Sequence, residues 1–231
     1  MRIALGVEYN GMSYCGWQSQ PNGCGVQDVL EVALHNIAGH PIRVHAAGRT
    51  DTGVHALMQV VHFDTEADRP ESAWVRGVNA FLPDSVRIIW SKTVGENFHA
   101  RFSAMQRSYQ YVLINQPQAP AIQFGRVGWY HLPLSLESMQ KAAHYLLGEH
   151  DFSAFRASEC QAKSPIRTLS VAGIKQTGNY FVFNFSANAF LQHQVRNMVG
   201  ALIYIGNGKQ TSDSMLHLLE AKDRKKCRRD A

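Results

Sequence analysis

Arg2-Ile3-Ala4-Leu5-Gly6-Val7-Glu8-Tyr9 alternates without a break. Ile3, Leu5, Val7 and Tyr9 fall on one face and Arg2, Ala4, Gly6 and Glu8 on the other, the period of a strand with one buried side. A polar, glycine-rich loop runs from Asn10 to Gly25. Val26, Val29, Leu30, Ala33, Leu34 and Ile37 then recur at helical spacing until Gly39 and Pro41 stop the run. Strands are expected at 42–47 and 56–64, a helix from Glu71 to Ala80 behind Pro70, and a strand from Val86 to Val94. The order is β-α-β-β-α-β, a ferredoxin-like unit.

From Arg107 the pattern begins again. A strand at 107–115 is followed by a possible extra strand near 126–131 and a helix from Ser135 to Gly148. Strands at 166–175 and 180–187 are joined by Gln176-Thr177-Gly178-Asn179, and Phe181, Phe183 and Phe185 alternate along the second. A helix at 190–205 carries the apolar stripe Leu191, Val195, Met198, Val199 and Leu202, and a short helix spans Asp213 to Lys222. No closing strand follows, because Arg224-Lys225-Lys226-Cys227-Arg228-Arg229 is too basic for a core strand. The expected fold class is α+β: two ferredoxin-like (βαββαβ) halves sharing a largely antiparallel sheet, the second half lacking its last strand. The halves are 1–100 and 101–231, with the boundary between Glu96 and Met105. A half-sheet without its last strand has either lost a C-terminal segment or left an edge unpaired.

The chain has 231 residues, 45% of them hydrophobic and 18% charged, enough for a sizeable core without staples. No apolar run reaches the ~18 residues of a membrane span, and Met1-Arg2-Ile3 leads straight into a strand, so a cytoplasmic location is expected. Cys15, Cys24, Cys160 and Cys227 form no CxxC pair and are read as free thiols, with neither a zinc knuckle nor a disulfide framework. The 11 histidines show no ligand spacing, so no metal is expected and a metal-dependent hydrolase is the weakest reading. The net charge of +5 favours a polyanionic partner such as nucleic acid.

Between the second and third strands lies Ala46-Ala47-Gly48-Arg49-Thr50-Asp51-Thr52-Gly53-Val54-His55-Ala56. Two glycines bracket a guanidinium, a carboxylate and two hydroxyls, costly chemistry for a connection. Read on residue types alone, it is either a solvent-facing turn or a rigid loop that presents charged groups to a partner.

That loop resembles the signature of the tRNA pseudouridine synthase A family. So, in the family's order, do Gly16-Trp17-Gln18, Val26-Gln27, Val78-Asn79-Ala80-Phe81-Leu82-Pro83, Phe98-His99-Ala100-Arg101-Phe102-Ser103-Ala104, Arg107-Ser108-Tyr109-Gln110-Tyr111, Asp151-Phe152-Ser153-Ala154-Phe155 and Val195-Arg196-Asn197-Met198-Val199-Gly200. The resemblance covers nearly the whole chain. It implies an isomerase that converts uridine to pseudouridine at positions 38, 39 and 40 of the tRNA anticodon stem-loop, working as a homodimer without a cofactor.

On this resemblance Asp51 is the nucleophilic carboxylate. An ordinary aspartate is ionised at neutral pH, and capture of an electron-poor uracil carbon or a developing sugar cation needs a fixed anion. Arg196 is implied as the partner of that carboxylate. Tyr109 is implied to stack on the extruded uracil and assist proton transfer at C5, with Tyr111 left in the core. Arg49 is implied to hold phosphate or the flipped nucleotide. Arg101 and Arg107, with Lys163, Arg167 and the C-terminal basic run, are candidates for phosphate contact. His55 is given no catalytic role beyond orienting the loop.

The chain departs from the family at Thr52, usually alanine, at Met58, usually glycine, and after Arg224, where a glycine-rich segment and a last apolar strand are usual. The alternative reading is therefore a tRNA-binding protein whose catalysis is impaired by a missing C-terminal strand.

Overall fold

The computed structural model of the chain describes residues 1–227. It divides into two compact units, residues 1–105 and 106–231.

In the first unit, β1 (Arg2–Tyr9), β2 (His45–Ala46), β3 (Ala56–Asp64) and β4 (Val86–Val94) form an antiparallel sheet in the order β2-β3-β1-β4. This is the ferredoxin-like order, with β1 paired on both edges. The alternating face of β1 is the core face: Ile3, Leu5, Val7 and Tyr9 are all at most 2% exposed and pack with Val61, Phe63, Trp74, Val86 and Ile88. α1 (Val26–Ala38) covers them with Val26, Leu30, Ala33 and Leu34, each fully buried. Each buried valine and leucine contributes about 1.5–3 kcal/mol by leaving water, and the Ala33 methyl about 0.8 kcal/mol. Asp28 accepts the Gly25 N–H at 2.8 Å to open the helix, and Gly39, at φ 77°, donates to His35 O to close it.

β2 is shorter than the 42–47 expected. Glu31 Oε1 takes the Val44 N–H at 3.0 Å, so a side chain satisfies the backbone that a strand ladder would have used, although Ile42 and Val44 remain in the core. The helix expected at 71–80 forms at 71–79, and its centre, Ala73–Gly77, is π-helical.

The second unit holds β5 (Arg107–Asn115), β6 (Gly128–Tyr130), β7 (Gly148–Asp151), β8 (Ile166–Thr177) and β9 (Tyr180–Ala187) in the order β6-β5-β9-β8-β7. Phe181, Phe183 and Phe185 lie opposite Leu113, Tyr111 and Tyr109 and are at most 1% exposed. They pack with α2 (Leu136–His144), α3 (Gln194–Gly206) and α4 (Ser214–Ala221). α2 stops short of the expected Gly148, which at φ 95° instead opens the unexpected β7. α3 starts four residues later than expected, because Gln194 Oε1 accepts the Leu191 N–H and His193 takes a left-handed φ of 61°.

Within each unit hydrogen bonding groups the described strands into one sheet, of four strands in the first and five in the second, largely antiparallel as the expected α+β class requires. One expectation is corrected. No strand follows α4 among the described residues, yet the β5 edge away from β9 is not bare: β6 pairs there in parallel with Leu113–Asn115. Arg228 and Arg229 of the basic run lie outside the described residues.

Candidate active site

The Ala46–Ala56 loop leaves β2 and enters β3 beside a register shift between Val7 and Tyr9 of β1. That irregularity leaves Leu57 and Met58 exposed at the start of β3, a common arrangement next to functional loops. Met58 has a structural partner: its Sδ accepts the Trp90 indole N–H at 3.0 Å. Both side chains cover Gly6, where an added Cβ would run into the Trp90 indole nitrogen.

The loop is fixed on both sides of Asp51. Gln59, buried on β3, donates to Gly48 O, and Trp17 N–H donates to Thr50 O at 3.0 Å. The Tyr9 hydroxyl meets Thr50 Oγ1 at 2.7 Å. Asp51 O accepts the Val54 N–H at 3.1 Å, closing the turn in which Gly53 takes φ 75°. His55 Nδ1 accepts the Gly11 N–H at 3.2 Å, so the imidazole does fasten the loop to the segment after β1. Gly16 is a further close approach to the loop. At φ 100° its absent Cβ would lie 2.7 Å from Thr50 O and 3.2 Å from the Asp51 carbonyl carbon, so only glycine lets the two backbones approach. Within this frame Asp51 is half-buried, while Arg49 and Thr52 are exposed.

The segment holding the loop is itself closed by a disulfide between Cys15 and Cys24, which corrects the reading of these two as free thiols; Cys160 and Cys227 are buried thiols, the Cys227 Sγ donating to Asn197 O. The Cys15 N–H also donates to Cys24 O at 2.9 Å. No sequence signal marked the pair, because the contact arises from the path of the loop rather than from a motif. Arg101 is exposed in the turn after His99, its guanidinium 5.6 Å from the Phe102 ring centre.

In the second unit, Tyr109 and Tyr111 share the helix-covered face of β5 but differ in surroundings. Tyr111 lies against Phe183 and over Gly128, and burial pushes its phenol pKa up, opposed in part by the nearby charge of Arg196. Tyr109 sits one step toward the strand's start, half-buried and edge-on to Phe190 at 5.1 Å. Arg196 is exposed on the first turn of α3, which is tied down by Asn197 donating to Phe155 O at 2.7 Å. The unit thus places Tyr111 and Arg196 close together, with Tyr109 on the same strand face. Arg107 donates to Asn188 O at 2.8 Å. Lys163 is exposed, and Arg167 is turned inward on Ser164 O and Ile166 O, with its Nε buried and unpartnered and its pKa lowered by burial. That geometry makes Arg167 a poor phosphate ligand, unlike Lys163. No group of three or more His, Cys, Asp or Glu among the described residues is placed to hold a metal ion.

The first unit presents Asp51 on a loop held through its backbone, and the second presents Tyr109 on β5 and Arg196 on the first turn of α3. A family model described as tRNA pseudouridine synthase matches residues 6–103 and 142–231. The chain belongs to the tRNA pseudouridine synthase family. It is 63% identical over 225 residues to a protein of Methylobacillus flagellatus named tRNA pseudouridine synthase A, the match covering 97% of this chain and 86% of that one. Proteins of the same name from Dechloromonas aromatica and Thiobacillus denitrificans are 59% and 53% identical, with the same coverage. No helix among the described residues is long and apolar enough to cross a membrane.

Proposed function

We propose that this chain is a cytoplasmic isomerase that converts uridine to pseudouridine at positions 38, 39 and 40 of the tRNA anticodon stem-loop, acting as a homodimer. The observation that carries the reading is the loop Gly48–His55, in which a half-buried Asp51 stands between backbone contacts on either side in a chain of this family. Asp51 acts as nucleophile. The N1–C1′ bond breaks, C5 joins C1′, the C5 proton leaves and N1 gains a proton, so the product is an isomer and no cofactor is consumed.

Arg196 pairs with the carboxylate, and Tyr109 stacks on the extruded base and assists the proton transfer at C5. Arg49 holds the flipped nucleotide or its phosphate, while Arg101 and Arg107 contact the backbone. Extrusion from the stem costs a few kcal/mol, which these phosphate contacts offset. The name carried by the relatives supports turnover over the binding-only alternative.

The test is pseudouridine formation by the purified chain on anticodon stem-loops that carry a single uridine at 38, 39 or 40. Product at these positions and none at uridines elsewhere in the stem is expected. Tight binding with no product at any position would overturn the reading. Sedimentation at micromolar protein tests the dimer.

A further inference from the structure

The braces around Asp51 differ in kind. The Trp17 N–H bond to Thr50 O joins two main-chain groups, the Gly16 approach is main chain against main chain, and the Gly11–His55 and Gln59–Gly48 bonds each join one main-chain group to one side chain. The contact between Tyr9 and Thr50 is made by two side chains, and it engages the residue next to the nucleophile.

Tyr9 is the last residue of β1, the strand paired on both edges and therefore the stiffest part of its sheet. Its ring is 2% exposed and lies 5.8 Å from the equally buried Trp17 ring. For core packing a phenylalanine would serve as well, since the apolar cluster around Tyr9 gains nothing from a phenol oxygen. The oxygen instead reaches out of the core to Thr50 Oγ1 at 2.7 Å, a short hydroxyl–hydroxyl bond. Thr50 is β-branched, so holding Oγ1 selects one χ1 rotamer and restricts the backbone at the same residue. Trp17 N–H holds Thr50 O as well, so both the side chain and the carbonyl of the residue preceding Asp51 are fixed.

We propose that Tyr9 is a positioning residue for the isomerisation: through Thr50 it transmits the rigidity of the central strand to the Asp51 carboxylate. The proposal rests on Asp51 being the nucleophile. A nucleophile displaced by about 1 Å loses about 10²-fold in rate, so loosening one of several braces should cost about 10-fold.

The test compares Tyr9→Phe, Thr50→Val, Thr50→Ser and the Tyr9→Phe/Thr50→Val double variant of the full chain. Single-turnover rate at saturating stem-loop, stem-loop Kd and thermal midpoint are measured for each. Tyr9→Phe and Thr50→Val should each slow the chemical step about 10-fold with Kd within about twofold, the double variant should be no slower than the slower single, and Thr50→Ser should recover most of the rate. The contrast between serine and valine at Thr50 holds even if the loss of the phenol lowers the melting point. Wild-type rates for Tyr9→Phe and Thr50→Val, or slowing accompanied by an equal loss of binding, would overturn the proposal. Asp51→Ala separates the two levels: turnover by that variant sinks the nucleophile reading and this proposal together. An inactive Asp51→Ala alongside an unaffected Tyr9→Phe sinks this proposal alone.

Discussion

Acidifying the protein through the titration range of His62 is expected to remove stability in an amount set by one buried ring. His62 lies on β3, on the face away from α1, and is 1% exposed. It stacks on His45 at 5.1 Å, meets His99 edge-on at 4.6 Å, and its Nδ1 accepts the Ala100 N–H at 3.2 Å. Burial first, then the charges of His99, Arg2 and His45, lower its pKa to about 4, with Asp64 opposing. The folded protein therefore binds the proton less readily than the unfolded chain, whose histidine titrates near 6.5. Stability from this group is fully present above that value and is lost as pH falls toward and through about 4. The loss reaches at most about 1.4 kcal/mol at pH 5.5 and about 3 kcal/mol once both states are protonated. Urea unfolding at pH 7.5 and 5.5 measures it. His62→Asn, which keeps an acceptor for the Ala100 N–H, should be less stable at pH 7.5 but show a flatter acid response. An NMR titration that finds His62 protonating near 6.5 in the folded protein would refute the reasoning.

Gly16→Ala must strain a backbone at φ 100° and push into Thr50 O, so it should cost about 1–3 kcal/mol of stability and slow turnover more than it weakens tRNA binding. Denaturation and single-turnover assays on the same preparation check both halves. Oxidised protein should resist urea by about 2–3 kcal/mol more than reduced protein, because the Cys15–Cys24 bridge shortens the unfolded chain's freedom; Cys15→Ser should abolish the response to reductant. If Arg49, Arg101, Arg107 and Lys163 each neutralise a phosphate, stem-loop affinity should fall about 10²-fold between 50 and 200 mM salt, and each charge removed should flatten the slope by about one unit. Filter binding across that range measures it.

The features legible before the structure were those written in local periodicity. The alternation of Ile3, Leu5, Val7 and Tyr9 predicted the core face of β1, and the helical spacing from Val26 with Gly39 behind it gave α1 to within a residue of each end. Elements decided by distant partners were not legible. β2 lost most of its length because Glu31, thirteen residues away, captures the Val44 N–H. Gly148-Glu149-His150-Asp151 has no apolar alternation and becomes β7 only because β8 offers it an edge. At the site, the charged loop announced itself through its composition, but its braces did not. Tyr9 reads as a core residue on a strand, and neither its hydroxyl's reach to Thr50 nor the Cys15–Cys24 contact leaves a trace in spacing.

The central claim is that the carboxylate of Asp51 performs the isomerisation. It is tested most directly by measuring pseudouridine formation by the Asp51→Ala chain on an anticodon stem-loop, beside a check that its melting point and stem-loop affinity match the unaltered protein. Background levels of product with binding intact are predicted. Conversion at a rate near that of the unaltered chain would contradict the account.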